Sequence, residues 1–414
     1  MSQPTDTADT PKGAAEALRS TGAIRARAKA LLATARSGES AHFSVDDSAM
    51  RTAVDRVTEI TRNRYPSLHI PYHSRWRHFE ASGVDRIKQL DQRLQAADIA
   101  CSARSRIDLA MVSVLLDAGA GPLWSYSEAG TGLRLMRSEG LGVASFHAFS
   151  AGLFSSDMSQ PLQADASGLR AVTAEQLGAA FQVSAQNPLV GLEARAALLQ
   201  RLGESLAQQS QVFGTPARPG GLFDHLPRTA DGAIETHEIL QVLLRTLSGI
   251  WPAQNSVAGI PLGDCWRHPG APGPGLTQGW MPFHKLSQWL TYSLLEPLEW
   301  AGVPVRGLDA LTGLPEYRNG GLFLDTGVLR PTMKDFNRHA WQVGDAFIVE
   351  WRALTVALLD ELAPMVRGAL GRSAEEMPLA CVLEGGTWAA GRSLAQSLRS
   401  GLPPLMIESD GTVF

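Results

Sequence analysis

The chain has 414 residues, with 37 Lys and Arg against 41 Asp and Glu, for a formal net charge of −4. This balance excludes the class of proteins that bind nucleic acid through a strongly basic surface. With 44% hydrophobic and 19% charged residues, the chain is also too apolar to remain disordered. The N-terminus lacks a signal-peptide pattern, and no apolar run approaches the ~20 residues of a membrane span. We therefore expect a cytoplasmic protein with neither a membrane nor a nucleic-acid partner.

Helical periodicity dominates the first part of the chain. Residues 1–16 are polar and are expected to form a disordered tail. Apolar residues then recur at helical spacing around 24–35, 50–60, 84–94, 104–118, 173–183, 189–208 and 236–249. The Gly-rich stretch 119–142 predicts irregular structure.

The second part of the chain is more mixed. Recurring prolines exclude a long helix over 251–283, and this region and the predicted loop 303–331 flank a predicted helix over 284–301. Further helices are predicted over 336–363 and 387–399, a strand over 379–383, and a hairpin that pairs 405–408 with 412–414 across Asp410–Gly411. The pattern predicts a mainly α fold with a small β element, as a single large helical unit over 17–414, with a subdivision near 210–250 left open.

The common catalytic and cofactor signatures do not occur. There is no Walker-A loop, no GxGxxG after a strand, no GxSxG and no HExxH. The three cysteines form no CxxC or Cys/His pattern, and Pro71 separates His69 from His73 where a helical pair would be needed to hold zinc. The sequence therefore predicts no cofactor and no metal ligand.

Two segments combine charged and aromatic residues in a way that suits a polar ligand. In residues 71–79, His73, Arg75 and Arg77 surround Trp76 and could hold a phosphorylated or planar group, or Trp76 could simply anchor the loop. In residues 262–269, an acid, a thiol, an indole and an imidazole share one Pro/Gly-bounded loop, where catalytic groups often concentrate; its candidates are Asp264, Trp266 and His268.

The start of the helix predicted at 284 is a third candidate. His284 and Lys285 occupy its first turn, where free N–H groups attract anions. Trp280 and Phe283 could stack on a flat ligand, or they could form a hydrophobic staple before an ordinary helix.

Two acids flank a Gly-Gly break in the fourth candidate. A turn at 320–321 would bring Glu316 and Asp325 to one pocket, with Arg318 between them. Such a pair suits a reaction in which one carboxylate stabilises positive charge while another group moves a proton. The alternative is a structural ion pair of Arg318 with either acid.

The last candidate is the segment 383–388. Its two glycines, Gly385 and Gly386, permit close approach of the backbone, and Glu384 could reach a site. Thr387 is the expected N-cap of the following helix.

Long blocks of the chain resemble a known family, the uracil-catabolism-associated proteins of fungi and bacteria. The blocks are Tyr72–Glu80, Leu262–Pro269, Pro282–Gly302, Leu311–Leu329 and Leu383–Phe414. The resemblance implies a uracil pathway that also uses a uracil phosphoribosyltransferase and a cyclohydrolase-like ring-opening protein and that passes through a ribosylurea-type intermediate to urea. Glu316-Tyr317-Arg318 is in addition similar to a loop of the queuosine-salvage nucleoside N-glycosylases.

Together these observations favour a metal-independent N-glycosidase that cleaves ribosylurea, or its 5′-phosphate, to urea and ribose. Cleavage through an oxocarbenium-like state needs a carboxylate near the anomeric carbon. Asp325 is predicted for that role, and Glu316 or Asp264 for the ribose hydroxyls. The predicted substrate-binding residues are Arg318, Tyr317, His284, Lys285, Trp280, Phe283, His268, Trp266, Arg75, Arg77 and His73.

Two alternatives stay open. One is a non-catalytic protein that binds a nucleoside-like metabolite or other enzymes of uracil catabolism. The other is a metal-dependent amidohydrolase that uses His69, His73 or His268. The region 251–330, which carries half of the ten tryptophans, is where the sequence places the site.

Overall fold

A computed structural model describes residues 8–252 and 255–408, and most of the secondary structure is helical. The α-helices of the first half are α1 (Pro11–Leu18), α2 (Thr21–Arg36), α3 (Met50–Arg64), α4 (Trp76–Phe79), α5 (Arg86–Leu94), α6 (Ile99–Leu115), α7 (Arg137–Ser150), α8 (Ala166–Ala171), α9 (Ala174–Ala180) and α10 (Leu192–Gln208). They are followed by α11 (Ser210–Phe213), α12 (Leu222–His225), α13 (Thr236–Leu247), α14 (Lys285–Trp300), α15 (Tyr317–Asp325), α16 (Ala346–Leu370), α17 (Leu379–Val382) and α18 (Trp388–Arg399).

The strands are short and pair two by two. Antiparallel pairs join β1 (Phe43–Val45) with β10 (Leu329–Pro331), β2 (Ser125–Ser127) with β3 (Arg134–Met136), β5 (Ser256–Val257) with β6 (Ile260–Pro261), and β7 (Cys265–Arg267) with β8 (Trp280–Pro282). Parallel pairs join β4 (Ile234–Glu235) with β9 (Val305–Arg306) and β11 (Ala340–Gln342) with β12 (Met406–Glu408). The predicted fold class, mainly α with a small β element, is confirmed.

Backbone contacts divide the described chain into two units, whereas the sequence pattern predicts one. Unit 1 takes the described residues within Met1–His73, Ala253–Gln288 and Gly307–Ser409, and unit 2 takes those within Ser74–Pro252 and Trp289–Arg306. One boundary follows Pro252, and another lies inside α14.

Unit 1 is built around α16, which packs against α2 and α3, while α15 packs against α18. Helix α16 is buried along most of its length and ends at Gly371, whose left-handed conformation terminates helices at low cost. In unit 2, α10 packs against α8 and α6 packs against α7. In neither unit does any helix of the described chain combine the length and apolarity needed to cross a bilayer.

Several predicted elements differ from those in the structure. Helix α1 begins at Pro11, capped by the Thr10 side chain, so it includes part of the tail predicted to be disordered. The predicted strand at 379–383 is wrong, because Leu379–Val382 is helical and a π-helical turn, Leu383–Thr387, follows it. A buried apolar run of this length fits either helix or strand.

The predicted loop 303–331 contains helix α15. Glu316 caps α15 by accepting N–H donors from Arg318 and Asn319, and Gly320 and Gly321 lie inside the helix rather than forming a turn. Position 320 requires glycine, because a Cβ there would overlap the Trp351 indole of α16. Strand β12 pairs with β11, and the 410–414 half of the predicted hairpin lies outside the described residues.

Candidate active site

The π-helical turn Leu383–Thr387 places an acidic side chain next to α3. Its two glycines allow the approach: a Cβ on Gly386 would lie 2.5 Å from Val57 O and from Thr61 Oγ1, both on α3. The close approach that the Gly-Gly pair predicts is therefore confirmed. Thr387, expected to be an N-cap, lies inside this continuous helical segment instead. Wide helical turns of this kind occur frequently at functional sites.

Glu384, on this turn, is buried and accepts three side-chain hydrogen bonds. Arg64 Nη2 lies 2.8 Å and the Tyr65 hydroxyl 3.0 Å from its Oε1, and His73 Nδ1 lies 2.9 Å from its Oε2. Burial disfavours the charged carboxylate, but the hydrogen bond from His73, the positive charge that His73 carries when it is protonated, and the charge of Arg64 outweigh it and lower the pKa of Glu384 to about 2. Glu384 is thus a fixed anion that orients its neighbours.

The orientation of His73 follows from its contacts. Its backbone N–H donates to Ala380 O at 3.1 Å, and its Nδ1 faces Glu384, which as a carboxylate can only accept. The ring proton is therefore on Nδ1. Nε2 has no hydrogen-bond partner among the residues that the structure describes, and the imidazole is 12% exposed. A carboxylate that holds Nδ1–H and leaves Nε2 available as a base is the arrangement used by catalytic histidines.

An open cavity of about 690 Å³ adjoins this pair. Two of its lining residues connect it to the pair: Arg64 binds Glu384, and the Trp388 ring centroid lies 6.4 Å from that of His73. The Arg392 guanidinium lies 5.3 Å from the centre of the Trp388 ring. The polar and aromatic lining consists of Arg64, Trp388, Arg392, Ser393, Gln396 and Ser397. Such a groove can stack on a planar ligand and bind its oxygen atoms or a phosphate.

The predicted catalytic acid Asp264 lies elsewhere in unit 1, fully engaged by donors. Arg352 binds both carboxylate oxygens, the Trp266 indole N–H donates to Oδ1 at 2.8 Å, and the Lys285 backbone N–H donates to Oδ2 at 3.0 Å. Although burial disfavours the charge, the positive charge of Arg352 and these bonds lower the pKa of Asp264 to about 2. No donor-free lone pair remains to face a ribose.

Trp280 and Phe283, in the region 251–330 where the sequence places the site, belong to the core of unit 1. Trp280 packs with Ala14, Leu18 and Leu262, and Phe283 is buried under the Arg352 guanidinium, 4.0 Å from the ring centre. The His284 Nε2 lies 3.0 Å from Leu18 O, and burial lowers the pKa of His284. The structure thus brings these residues together as a packed interior.

The acids of the fourth candidate are separated by α15, with one at each end. Asp325 forms two 2.7 Å contacts with the guanidinium of Arg399 and not with Arg318. Glu316 is the N-cap described above. The Tyr317 hydroxyl lies 3.4 Å from Ile407 O, and burial raises the pKa of Tyr317 to about 12. Arg318 contacts Gly401 O at 3.4 Å.

The remaining candidates are distributed over both units. Arg75 and Arg77 lie in unit 2, where Arg75 binds Asp117 at 2.8 Å and Arg77 binds Glu296. His268 lies in unit 1 opposite Glu350, at 3.2 Å. His73 and His268, two of the histidines in the amidohydrolase alternative, therefore face different carboxylates.

The sequence gives no functional signal for four residues of this site. Arg64 and Tyr65 lie at the end of an amphipathic helix, Trp388 ends the candidate segment 383–388 without a role of its own, and Arg392 lies on the helix that follows. Glu384 carried a signal, the adjacent Gly-Gly pair. The contact between Glu384 and His73 spans 311 positions, which no local pattern reveals.

Comparison with known proteins places the whole described architecture in one family. The model of the family described as "Protein of unknown function (DUF1688)" matches residues 17–414. Protein urg3 of Schizosaccharomyces pombe is 39% identical over 401 residues, covering 94% of this chain and 96% of its own length. Uracil catabolism protein 4 of Lachancea kluyveri is 36% identical over 411 residues, covering 91% and 93%. These matches confirm the resemblance seen in the sequence motifs, and the chain is a member of the DUF1688 family.

Proposed function

We propose that this protein acts in uracil catabolism as a metal-independent N-glycosidase that hydrolyses ribosylurea, or its 5′-phosphate, to urea and ribose or ribose 5-phosphate. The name of one relative, Uracil catabolism protein 4 of Lachancea kluyveri, supports the pathway, since the match covers 93% of that protein. The observation that carries the reaction class is the Glu384–His73 pair beside a groove lined by an indole and two guanidinium groups.

The reaction needs one proton moved twice. His73 Nε2 takes a proton from water as the water oxygen bonds to the anomeric carbon. The C–N bond breaks, its electron pair stays on the urea nitrogen, and the protonated His73 returns the proton to that nitrogen. Glu384 keeps its negative charge next to the imidazolium and stabilises it, as orienting carboxylates do.

The groove supplies the contacts that would bind the substrate. Trp388 offers a flat face for the ureido group, and the positive charges of Arg64 and Arg392 in the groove lining would attract its oxygen or a phosphate. No step uses Asp325, Glu316 or Asp264, because their carboxylates are occupied by Arg399, by backbone N–H groups and by Arg352. The catalytic roles predicted for these three acids remain predictions.

The test is urea release from ribosylurea by the purified full-length protein. We expect His73→Ala to lower kcat by about 10²- to 10⁴-fold, the usual contribution of a positioned base, and Glu384→Gln to lower it by a similar factor. His69→Ala is the matched control, since His69 lies in the same loop and is exposed.

Two results would overturn the proposal. Undiminished urea release by a correctly folded His73→Ala variant would remove the base. Failure of the wild-type protein to turn over ribosylurea, together with a rise of its Tm in the presence of that compound, would identify a binding protein instead.

A further inference from the structure

Three potential metal ligands converge in unit 1 and share no residue with the Glu384–His73 pair. His42 immediately precedes β1, His268 follows β7, and Glu350 lies on α16. One ligand atom from each residue lies within 4.8 Å of the other two. Separate elements thus contribute the three side chains, which is typical of a built site rather than of neighbours along one helix.

The Nε2 atom of His268 is the polar atom of this cluster that points to a ligand. Nε2 is buried and has no hydrogen-bond partner within the described ranges 8–252 and 255–408. It lies 3.2 Å from Glu350 Oε2, but the angle does not make a hydrogen bond. Two ligands of a tetrahedral zinc ion, each bonded at 2.0–2.2 Å, lie about 3.3 Å apart. The spacing therefore fits two ligands that face a common ion.

The carboxylate is held by an outer partner. The Ser40 hydroxyl donates to Glu350 Oε1 and accepts the backbone N–H groups of His42 and Phe43 at 3.0 and 3.1 Å. This single serine fixes Glu350 and the segment that carries His42. Metal-binding carboxylates are commonly oriented by such second partners.

His42 completes the set from the more accessible side. It is half-buried, and its ring centroid lies 6.4 Å from that of His268 and 5.9 Å from that of Phe347. The ring packing restricts the imidazole, while its partial exposure leaves a path for an ion. Glu350 and His268 are only 3% and 5% exposed.

We propose that His42, His268 and Glu350 bind one divalent transition-metal ion. Two imidazoles and one carboxylate suit zinc, iron(II), manganese or nickel, whereas magnesium and calcium prefer oxygen ligands alone. Three protein ligands leave a coordination position for water. The ion would connect β1, the segment after β7 and α16.

Binding requires a change of tautomer at His268. Its Nδ1 accepts the Gly270 N–H at 3.1 Å, which places the ring proton on Nε2 in the metal-free protein. Coordination through Nε2 moves that proton to Nδ1 and breaks the Gly270 hydrogen bond. One neutral hydrogen bond is a small cost beside metal coordination, and the Gly270 amide becomes a local reporter of binding.

The experiment titrates the chelator-treated full chain with Co²⁺ and with Zn²⁺. We expect one ion per chain, a visible Co²⁺ spectrum of low coordination number, a rise in Tm with Zn²⁺, and a shift of the Gly270 amide resonance. His42→Ala and His268→Ala should each weaken binding at least tenfold. The matched control is His339→Ala, an exposed histidine 4.3 Å from the Trp341 ring and outside the cluster.

Because Glu350 is buried, Glu350→Gln could unfold the protein. His42 is only half-buried, so His42→Ala is the variant that decides the test. The proposal fails if wild-type protein binds less than one ion per chain at micromolar metal. It also fails if His42→Ala binds as tightly as His339→Ala. None of these measurements depends on ribosylurea turnover, so they succeed or fail independently of the proposed activity.

Discussion

Arg352 and Asp264 lie fork to fork inside unit 1, with Nη1 2.7 Å from Oδ1 and Nη2 2.7 Å from Oδ2. The Arg352 side chain is fully buried, and both of its Nη atoms face the carboxylate of Asp264. Because Asp264 is also the acceptor for Trp266 and Lys285, the pair joins α16 to the segments on both sides of β8. A buried charge pair of this kind is costly to break from one side.

Asp264→Asn should therefore lower the free energy of unfolding by about 3–5 kcal/mol, since it leaves the Arg352 charge uncompensated. Urea denaturation followed by circular dichroism measures the loss. The control is Asp55→Asn, whose exposed pair with Arg51 on α3 should contribute about 0–1 kcal/mol. Equal losses in the two variants would contradict the structural role of Asp264.

Asp325→Asn should reduce stability and leave urea release intact. Its carboxylate is 6% exposed and binds Arg399 through both oxygens, so we expect a loss of roughly 2 kcal/mol, typical of hydrogen bonds to charged groups. A double-mutant cycle with Arg399→Met should recover part of that loss. If Asp325→Asn abolishes the release of urea from ribosylurea while its midpoint of urea denaturation equals that of the wild type, Asp325 is a catalytic acid.

Two glycines in helices should respond oppositely to alanine. A Cβ at Gly391 in α18 would overlap the backbone carbonyl of Arg318 in α15, so Gly391→Ala should cost about 1–3 kcal/mol or more. Gly368 in α16 is exposed with nothing within 4 Å of its Cβ position, and Gly368→Ala should stabilise by about 0.5–1 kcal/mol. Thermal unfolding of both variants shows whether α15 and α18 pack as closely as described.

Glu384 should make the protein labile to acid. Its pKa is lowered to about 2 in the folded state, below the ordinary value near 4.3 of the unfolded chain. The unfolded state therefore binds more protons between these values, and the contribution of Glu384 is complete above about pH 4.3 and lost as the pH falls toward 2.

The check is the stability difference between wild type and Glu384→Gln, measured by urea denaturation from pH 7 to pH 3. The difference should be constant near neutrality and shrink below about pH 4.3. A difference that does not change with pH would mean that Glu384 is not the ionised partner of Arg64 and His73.

The predictable part of the fold is the part encoded by local periodicity. Leu31 and Leu32 of α2, for example, are buried as their spacing indicates. Helix α15 is not predictable locally, because Gly320–Gly321 favours a turn in isolation, while in the folded chain Gly320 admits the Trp351 ring. The run 379–383 wrongly predicts a strand, because its length and apolarity fit either structure.

The site was harder to predict because its contacts are distant in sequence. Asp264 finds Arg352 at a separation of 88 positions and Glu384 finds His73 at 311. The motifs identified chemically capable residues, including His73, but not which of them would be occupied by structural partners. Asp325 and Asp264 lie in motifs that resemble catalytic loops. Each nevertheless binds an arginine from outside its own motif, Arg399 and Arg352 respectively.

The wide turn at Leu383–Thr387 also has a consequence for the length of this segment. Helical structure is continuous from α17 to α18, but a π turn accommodates one residue more than an α turn. Deleting that extra residue would give a regular α turn and leave the phase of α18 nearly unchanged, whereas a second extra residue would rotate α18 by about 100° about its axis relative to α17. Only in the second case would Trp388 and Arg392 face away from His73, so this segment tolerates a change of length in one direction only.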